Sequence, residues 1–499
     1  MTPFDLETYR ARAEAFSGEL DTEFYRHYAG LKEECDFSSV YSRYAELFAR
    51  EGVDTLKELY GTADGPEKKR LAYLLDFAIE GFMGEQIKEL TDEIANLEAE
   101  LTVTVDGREI GFRQSSVVLA NEPDAGRRRR LHEARLDVTR ERLNPRYDEQ
   151  WRVLHELSAE LGYATYAGLC SETRAVDFGM LRAATDSFLQ DTEGVYQRSF
   201  DKVLRATMGM SLSEVHYADL GHFVRAPRFD RVFAAERMLP TFERMLLDMG
   251  ISLRDQTNVH IDAEPRELKS PRAFCVPVRV PDEVYLVVLP KGGQDDYQAL
   301  LHEGGHAQHF AHAERSLPFE YRYLGDNAVT EGFAFLFDHL VLNPAWLEAY
   351  LGLTESAEFL TFANVVELYF LRRYAGKLAY ETELHAETGR LDRFAARYGE
   401  LLSEAVQVEV PEECYLTDVD PGFLCSAYVR AWLFEGALRI LFEDAYGVEW
   451  FRRPEAGARI KELWSHGQEY TADQLLLKNG GGKLDHSPLK MHIERALGR

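Results

Sequence analysis

The chain has 499 residues, about three times a common domain length, and its 45% hydrophobic, 28% charged and 12% aromatic content suffices for a large core. That mix excludes disorder and low complexity as the main description. Lys plus Arg total 57 against 85 for Asp plus Glu, a net charge of −28; such a surface repels phosphate backbones and anionic lipid, so neither nucleic acid nor a membrane is an expected partner.

The N-terminus, MTPFDLETYRARAEAF, lacks a basic region followed by an apolar stretch, so no signal peptide is expected. The longest strongly apolar run, Val284 to Leu289, is too short to span a bilayer. The five cysteines, Cys35, Cys170, Cys275, Cys414 and Cys425, are dispersed without a CxxC pair and read as reduced, buried thiols. Together these features predict a soluble, cytoplasmic protein.

Apolar residues three and four apart predict helices over 68–99, 125–160, 182–208 and 229–249. Between the first two, LTVTVDGREIGF alternates with period two around Asp106-Gly107, a hairpin signature. The run Arg127 to Arg130 reads as a solvated helix face among acidic neighbours. From about residue 255 the texture changes: AFCVPVRV and EVYLVVLP are β-prone and separated by Pro281-Asp282, predicting a small sheet. Lys291-Gly292-Gly293 ends the second strand, and Asp295 and Asp296 suit the first turn of a helix running through DYQALLHEGGHAQHFAH. A second helix is expected to start near Asp326 and run through VTEGFAFLFDHLV. Helical period then dominates, broken around 406–422 and at Gly480-Gly481-Gly482, a glycine triplet that reads as a plain connection.

The chemistry concentrates in His302-Glu303-Gly304-Gly305-His306, an HExxH motif. Two histidines four apart share a helix face, so their imidazoles can meet one metal ion, and Glu303 beside them can reach a water on that metal. The two glycines are expected to leave room beside the site. Two residues compete as third ligand. His312 lies ten residues after His302, but on a continuing helix it points roughly 80° away, at about 100° per residue. Glu331, 25 residues after His306 and early in the next helix, can approach the free face of both histidines and is preferred. His309 is open to two readings, supporting a ligand or packing. Asp338 reads as a solvated or locally paired aspartate in preference to a partner of a ligand histidine, and Cys275 reads as strand core. The strand 273–279, if at a sheet edge, could hold an extended peptide by main-chain hydrogen bonds, though Pro277 has no donor there.

VYLVVLPKGGQDDYQALLHEGGHAQHF, the following TEGFAFLFDHL and the later GFLCSAYVRAWLFEGALRILFEDAYG resemble the thimet oligopeptidase and oligoendopeptidase F family of zinc peptidases over about 270–445. The resemblance implies a mainly α, two-lobed helical metallopeptidase fold, with a small β-sheet beside the catalytic helix and a deep substrate channel. It implies one organised unit over 1–499: a mostly helical part at 1–254, a catalytic zinc-binding part at 255–445 and a helical segment at 446–499. It further implies one Zn²⁺ per chain on His302, His306 and Glu331, Glu303 as catalytic base, Tyr428 at the place of a transition-state tyrosine, and short peptides as substrates. Gly422 and Arg430 stand where the family carries a histidine and a second tyrosine. Arg430 is open to two roles, supplying charge to the oxyanion or serving as an ion-pair partner. The expected function is therefore zinc-dependent hydrolysis of short peptides. The alternatives are a carboxypeptidase-type enzyme with the same metal site and a non-catalytic helical peptide-binding protein.

Overall fold

The computed structural model describes residues 4–498. The chain is mainly helical with a small sheet. Its principal elements, in order, are α1 (Leu6–Tyr28), α2 (Gly65–Glu100), β1 (Thr102–Val105), β2 (Arg108–Gly111), α3 (Ala125–Val138), α4 (Asn144–Glu160), α5 (Phe178–Met208) and α6 (Met238–Asp248). There follow β3 (Val259–Asp262), β4 (Phe274–Arg279), β5 (Glu283–Val287), α7 (Gln294–His312), α8 (Asn327–Asp338), α9 (Ala357–His385), α10 (Leu424–Tyr446) and α11 (Ala472–Lys478). No helix among the described residues is long and apolar enough to cross a membrane.

The chain divides into two compact units, each assembled from separate segments. The first takes residues up to Phe82, Arg228–Leu360 and Arg430–Leu489; the second takes Met83–Pro227, Thr361–Val429 and the segment from Lys490 onward.

In the second unit, β1 and β2 form the expected hairpin, with Asp106 and Gly107 at φ 53° and 74°, the positive values that a tight two-residue turn demands. Val103 and Val105 bury against Phe112, Leu131 and Leu143. The predicted helix over 125–160 is α3 and α4 joined by a five-residue π-turn, Thr139–Leu143. The arginine run departs from expectation at one position. Arg128 is buried, its Nε 2.8 Å from an oxygen of the fully buried Asp219, because every fourth helical position turns inward. Breaking such a pair by removing one partner leaves an uncompensated buried charge.

In the first unit, the three-stranded sheet has the order β3-β5-β4, with β3 parallel and β4 antiparallel to β5. β3 is not expected from the sequence, because its four residues VHID are too short and polar to carry a clear period. β4 is an edge strand, the condition on which it could pair with an extended peptide, and its register shifts between Val276 and Arg279, the stretch that contains Pro277. Val284, Leu286 and Val287 of β5 are fully buried. α7 packs on β4 and β5, while α1 contributes Tyr25, whose ring stacks on Tyr285 at 3.9 Å. The helix expected over 229–249 is shorter, since Pro227–Phe229 and Ala235–Arg237 form single 3₁₀ turns before α6. Cys170 and Cys425 are buried as expected, whereas Cys275 and Cys414 are half-buried and Cys35 is exposed.

Candidate metal centre

α7 begins at Gly293, which holds φ 95°, a conformation that an L side chain rarely adopts. Asp296 Oδ2 accepts the Lys291 N–H at 2.7 Å, and Asp295 and Asp296 together place negative charge at the positive end of the helix. The helix then runs without interruption to His312. α8 starts at the N-cap Asp326, whose side chain accepts the Ala328 N–H at 3.1 Å. Ala328, Val329, Phe333, Ala334 and Phe337 are fully buried, and a helix that is apolar all round must be packed on all sides.

α7 and α8 pack directly against each other, and glycine sets how closely. A Cβ on Gly305 would lie 2.7 Å from Ala334 Cα and 2.9 Å from Phe333 O, and one on Gly304 would enter the Phe242 ring at 2.4 Å. The glycines therefore do not open space beside the site, contrary to expectation. They are covered by neighbours, and their lack of a Cβ lets α8 approach. Gly305→Ala is expected to push the helices apart, costing about 1–3 kcal/mol of stability and moving Glu331 away from the histidines. Thermal unfolding checks this, and an unchanged melting point would refute the packing argument.

That close approach brings Glu331 to the histidines. Glu331 Oε2 lies 3.3 Å from His302 Nε2 and 3.5 Å from His306 Nε2. Three ligands held about 2 Å from one tetrahedral ion stand about 3.3 Å apart, so these two distances suit a shared metal ion. Glu331 Oε2 is buried with no partner beyond these two imidazoles, an arrangement that suits a shared cation. Burial by itself would raise the Glu331 carboxyl, but the adjacent imidazoles of His306 and His302 outweigh it and hold it at about 2. Burial likewise disfavours charge on His302, yet Asp338 and Glu331 lift it to about 10. The pocket is thus organised to stabilise positive charge at the imidazole nitrogens.

The outward nitrogens of both histidines are also engaged. His302 Nδ1 lies 2.9 Å from Asp338 Oδ2, and His306 Nδ1 lies 2.8 Å from Thr330 Oγ1. The Asp338 carboxylate can only accept, so it selects the His302 tautomer that leaves Nε2 free for a metal, and the Thr330 hydroxyl is able to accept from His306 in the same way. The solvated reading of Asp338 is thereby corrected: seven residues after Glu331 on one helix, it faces His302. Thr330 has no counterpart among the expected site residues, because a threonine beside a glutamate carries no periodic signal.

Glu303 Oε2 accepts the Cys275 backbone N–H at 2.9 Å, which leaves the other carboxylate oxygen available. Cys275 is not a ligand; its thiol is pushed well up by burial, with Glu303 and Asp21 adding to the effect. His312 turns away, its Nδ1 2.8 Å from Gln308 O and its ring 5.2 Å from Trp464. His309 resolves to packing: it is buried, its ring lies 5.0 Å from Phe333, and desolvation drives it to about 3, keeping it neutral.

Arg430 belongs to this unit but not to the ligand group. It grips Asp326 with two hydrogen bonds of 2.7 Å and reaches Asp473 at 3.2 Å. Since Asp326 also accepts the Ala472 N–H at 3.0 Å, Arg430 ties the starts of α8 and α11 together, the ion-pair role. Tyr428 lies in the second unit, its ring 5.7 Å from Tyr374 at 83°.

His302 and Glu303 line a cleft of about 580 Å³ together with Phe24, Tyr28, Phe274 and Phe335. No family model matches the chain, and no curated protein does.

Proposed function

We propose that the protein is a zinc-dependent peptidase acting on short peptides. The observation that carries this reading is the convergence of His302 Nε2, His306 Nε2 and Glu331 Oε2, with the amide-anchored Glu303 in the same cleft. The resemblance to the thimet oligopeptidase and oligoendopeptidase F family supports it. That likeness also carries the finer architectural proposal, two lobes flanking a deep substrate channel; the cytoplasmic setting is proposed on the dispersed cysteines without a CxxC pair.

In this reading His302, His306 and Glu331 hold one Zn²⁺. When bound, the ion supplies Lewis-acid charge and makes water a competent nucleophile near neutral pH. Glu303 accepts a proton from the attacking water through the oxygen not bound by Cys275 N–H, then delivers it to the leaving amine. Asp338 and Thr330 keep the imidazoles oriented through the cycle. Tyr428 is proposed as a donor to the developing oxyanion, an interaction worth roughly 3–4 kcal/mol in comparable sites.

Purified protein is expected to hold about one zinc per chain and to cut unstructured peptides of about 5–20 residues, while leaving full-length casein and folded proteins intact. No GxxxxGK[ST] phosphate-binding loop occurs in the sequence, so no ATP-driven unfolding step is expected. Metal analysis and a length series read by mass spectrometry provide the test. Efficient cleavage of casein would mean an open groove and a general endoprotease; absence of zinc and of cleavage would remove the hydrolase reading.

A further inference from the structure

The cleft at His302 and Glu303 has one wall built from rings that no core requires. Phe24 and Tyr28 sit four apart on α1 and so share a helix face. They remain 37% and 39% exposed. Their ring centroids are 4.4 Å apart, and Phe274, at the start of β4, lies 5.7 Å from Phe24 and 6.4 Å from Tyr28 in edge-on orientation. On another side Phe335 sets its ring 5.1 Å from His302 and is itself backed by Trp432, stacked at 4.9 Å. All four phenyl and phenol rings line the same cleft as His302 and Glu303. Contiguous exposed apolar surface beside a polar centre is characteristic of ligand clefts.

We infer that Phe24, Tyr28 and Phe274 form a subsite for an aromatic or large apolar side chain next to the scissile bond. The inference rests on the peptidase reading and goes beyond it by naming which substrates are preferred and which residues choose them. The occupant follows from the continuity of the ring wall with the reacting groups: a peptide carbonyl brought to Glu303 carries its neighbouring side chains into this cleft. Edge-on and offset ring arrangements then favour an aromatic guest.

The α1 residues make the test clean, because they are exposed and their truncation leaves the buried ligand set alone. The full-length protein is compared with Phe24→Ala, Tyr28→Ala and the double variant on two quenched peptides that differ only in Phe or Ala beside the cleaved bond. Wild type is expected to prefer the Phe peptide by roughly 10–100-fold in kcat/KM. The double variant should bring that ratio to within about 3-fold of unity, with the loss falling mainly on the Phe peptide and zinc content retained. A purely structural role would depress both peptides together. A preference ratio that survives the double substitution overturns the subsite. Binding of the Phe peptide is measured separately by calorimetry, so that the outcome does not depend on hydrolysis. If nothing is cleaved but Phe-peptide binding disappears only in the variants, the subsite stands and the peptidase reading fails. If wild type binds the two peptides equally, the subsite is wrong whatever the activity.

Discussion

Glu303→Gln is expected to retain zinc while peptide hydrolysis falls at least about 100-fold, close to 2.7 kcal/mol on the barrier. The substitution preserves volume, and the Gln carbonyl oxygen can still accept the Cys275 N–H that now fixes Glu303 Oε2 at 2.9 Å. What is lost is the carboxylate that, in the proposed mechanism, accepts the proton. Because Glu303 is not one of the three converging donors, metal content separates loss of chemistry from loss of site. Glu303→Asp adds a further comparison. It keeps the base but shortens the side chain by one methylene, so activity should fall to an intermediate level, reflecting reach. Near wild-type hydrolysis by Glu303→Gln would remove Glu303 from its role.

The second large effect concerns the ligand set. His302→Ala and His306→Ala should each abolish stoichiometric zinc, and Glu331→Ala should weaken it severely, since two imidazoles alone leave the ion without its anionic ligand. His312→Ala should be silent: that ring is hydrogen-bonded to Gln308 O and packed near Trp464. Asp338→Asn is expected to lower zinc affinity by about 10–100-fold, as loss of a partner to a ligand imidazole does elsewhere. Competition against a chelating dye measures each. Zinc stripped by His312→Ala and spared by Glu331→Ala would invert the third-ligand assignment.

The HExxH helix, its acidic first turn and the next helix from Asp326 are legible in the sequence, because helical period and capping chemistry are local properties. The preference for Glu331 over His312 follows from rotation along a straight helix, and α7 is uninterrupted from Gln294 to His312. The hairpin at Asp106-Gly107 is legible for a similar reason, a turn type that demands positive φ.

Other parts become visible only once distant segments meet. A backbone donor such as Cys275 N–H has no side-chain signature, so its bond to Glu303 could not be read. Thr330 and Asp338 acquire meaning only because α8 lies against α7. The same holds for Gly305, whose missing Cβ reads as vacant space in one dimension, whereas in three a Cβ there would meet Ala334 Cα at 2.7 Å. Arg430 likewise has two open roles until Asp326, 104 positions earlier, is found within 2.7 Å of its guanidinium. The sequence by itself determined which residue types stand on which face of each helix. Which faces meet, and how closely, was decided by tertiary packing, because contacts between segments far apart in the chain depend on the shape of everything between them.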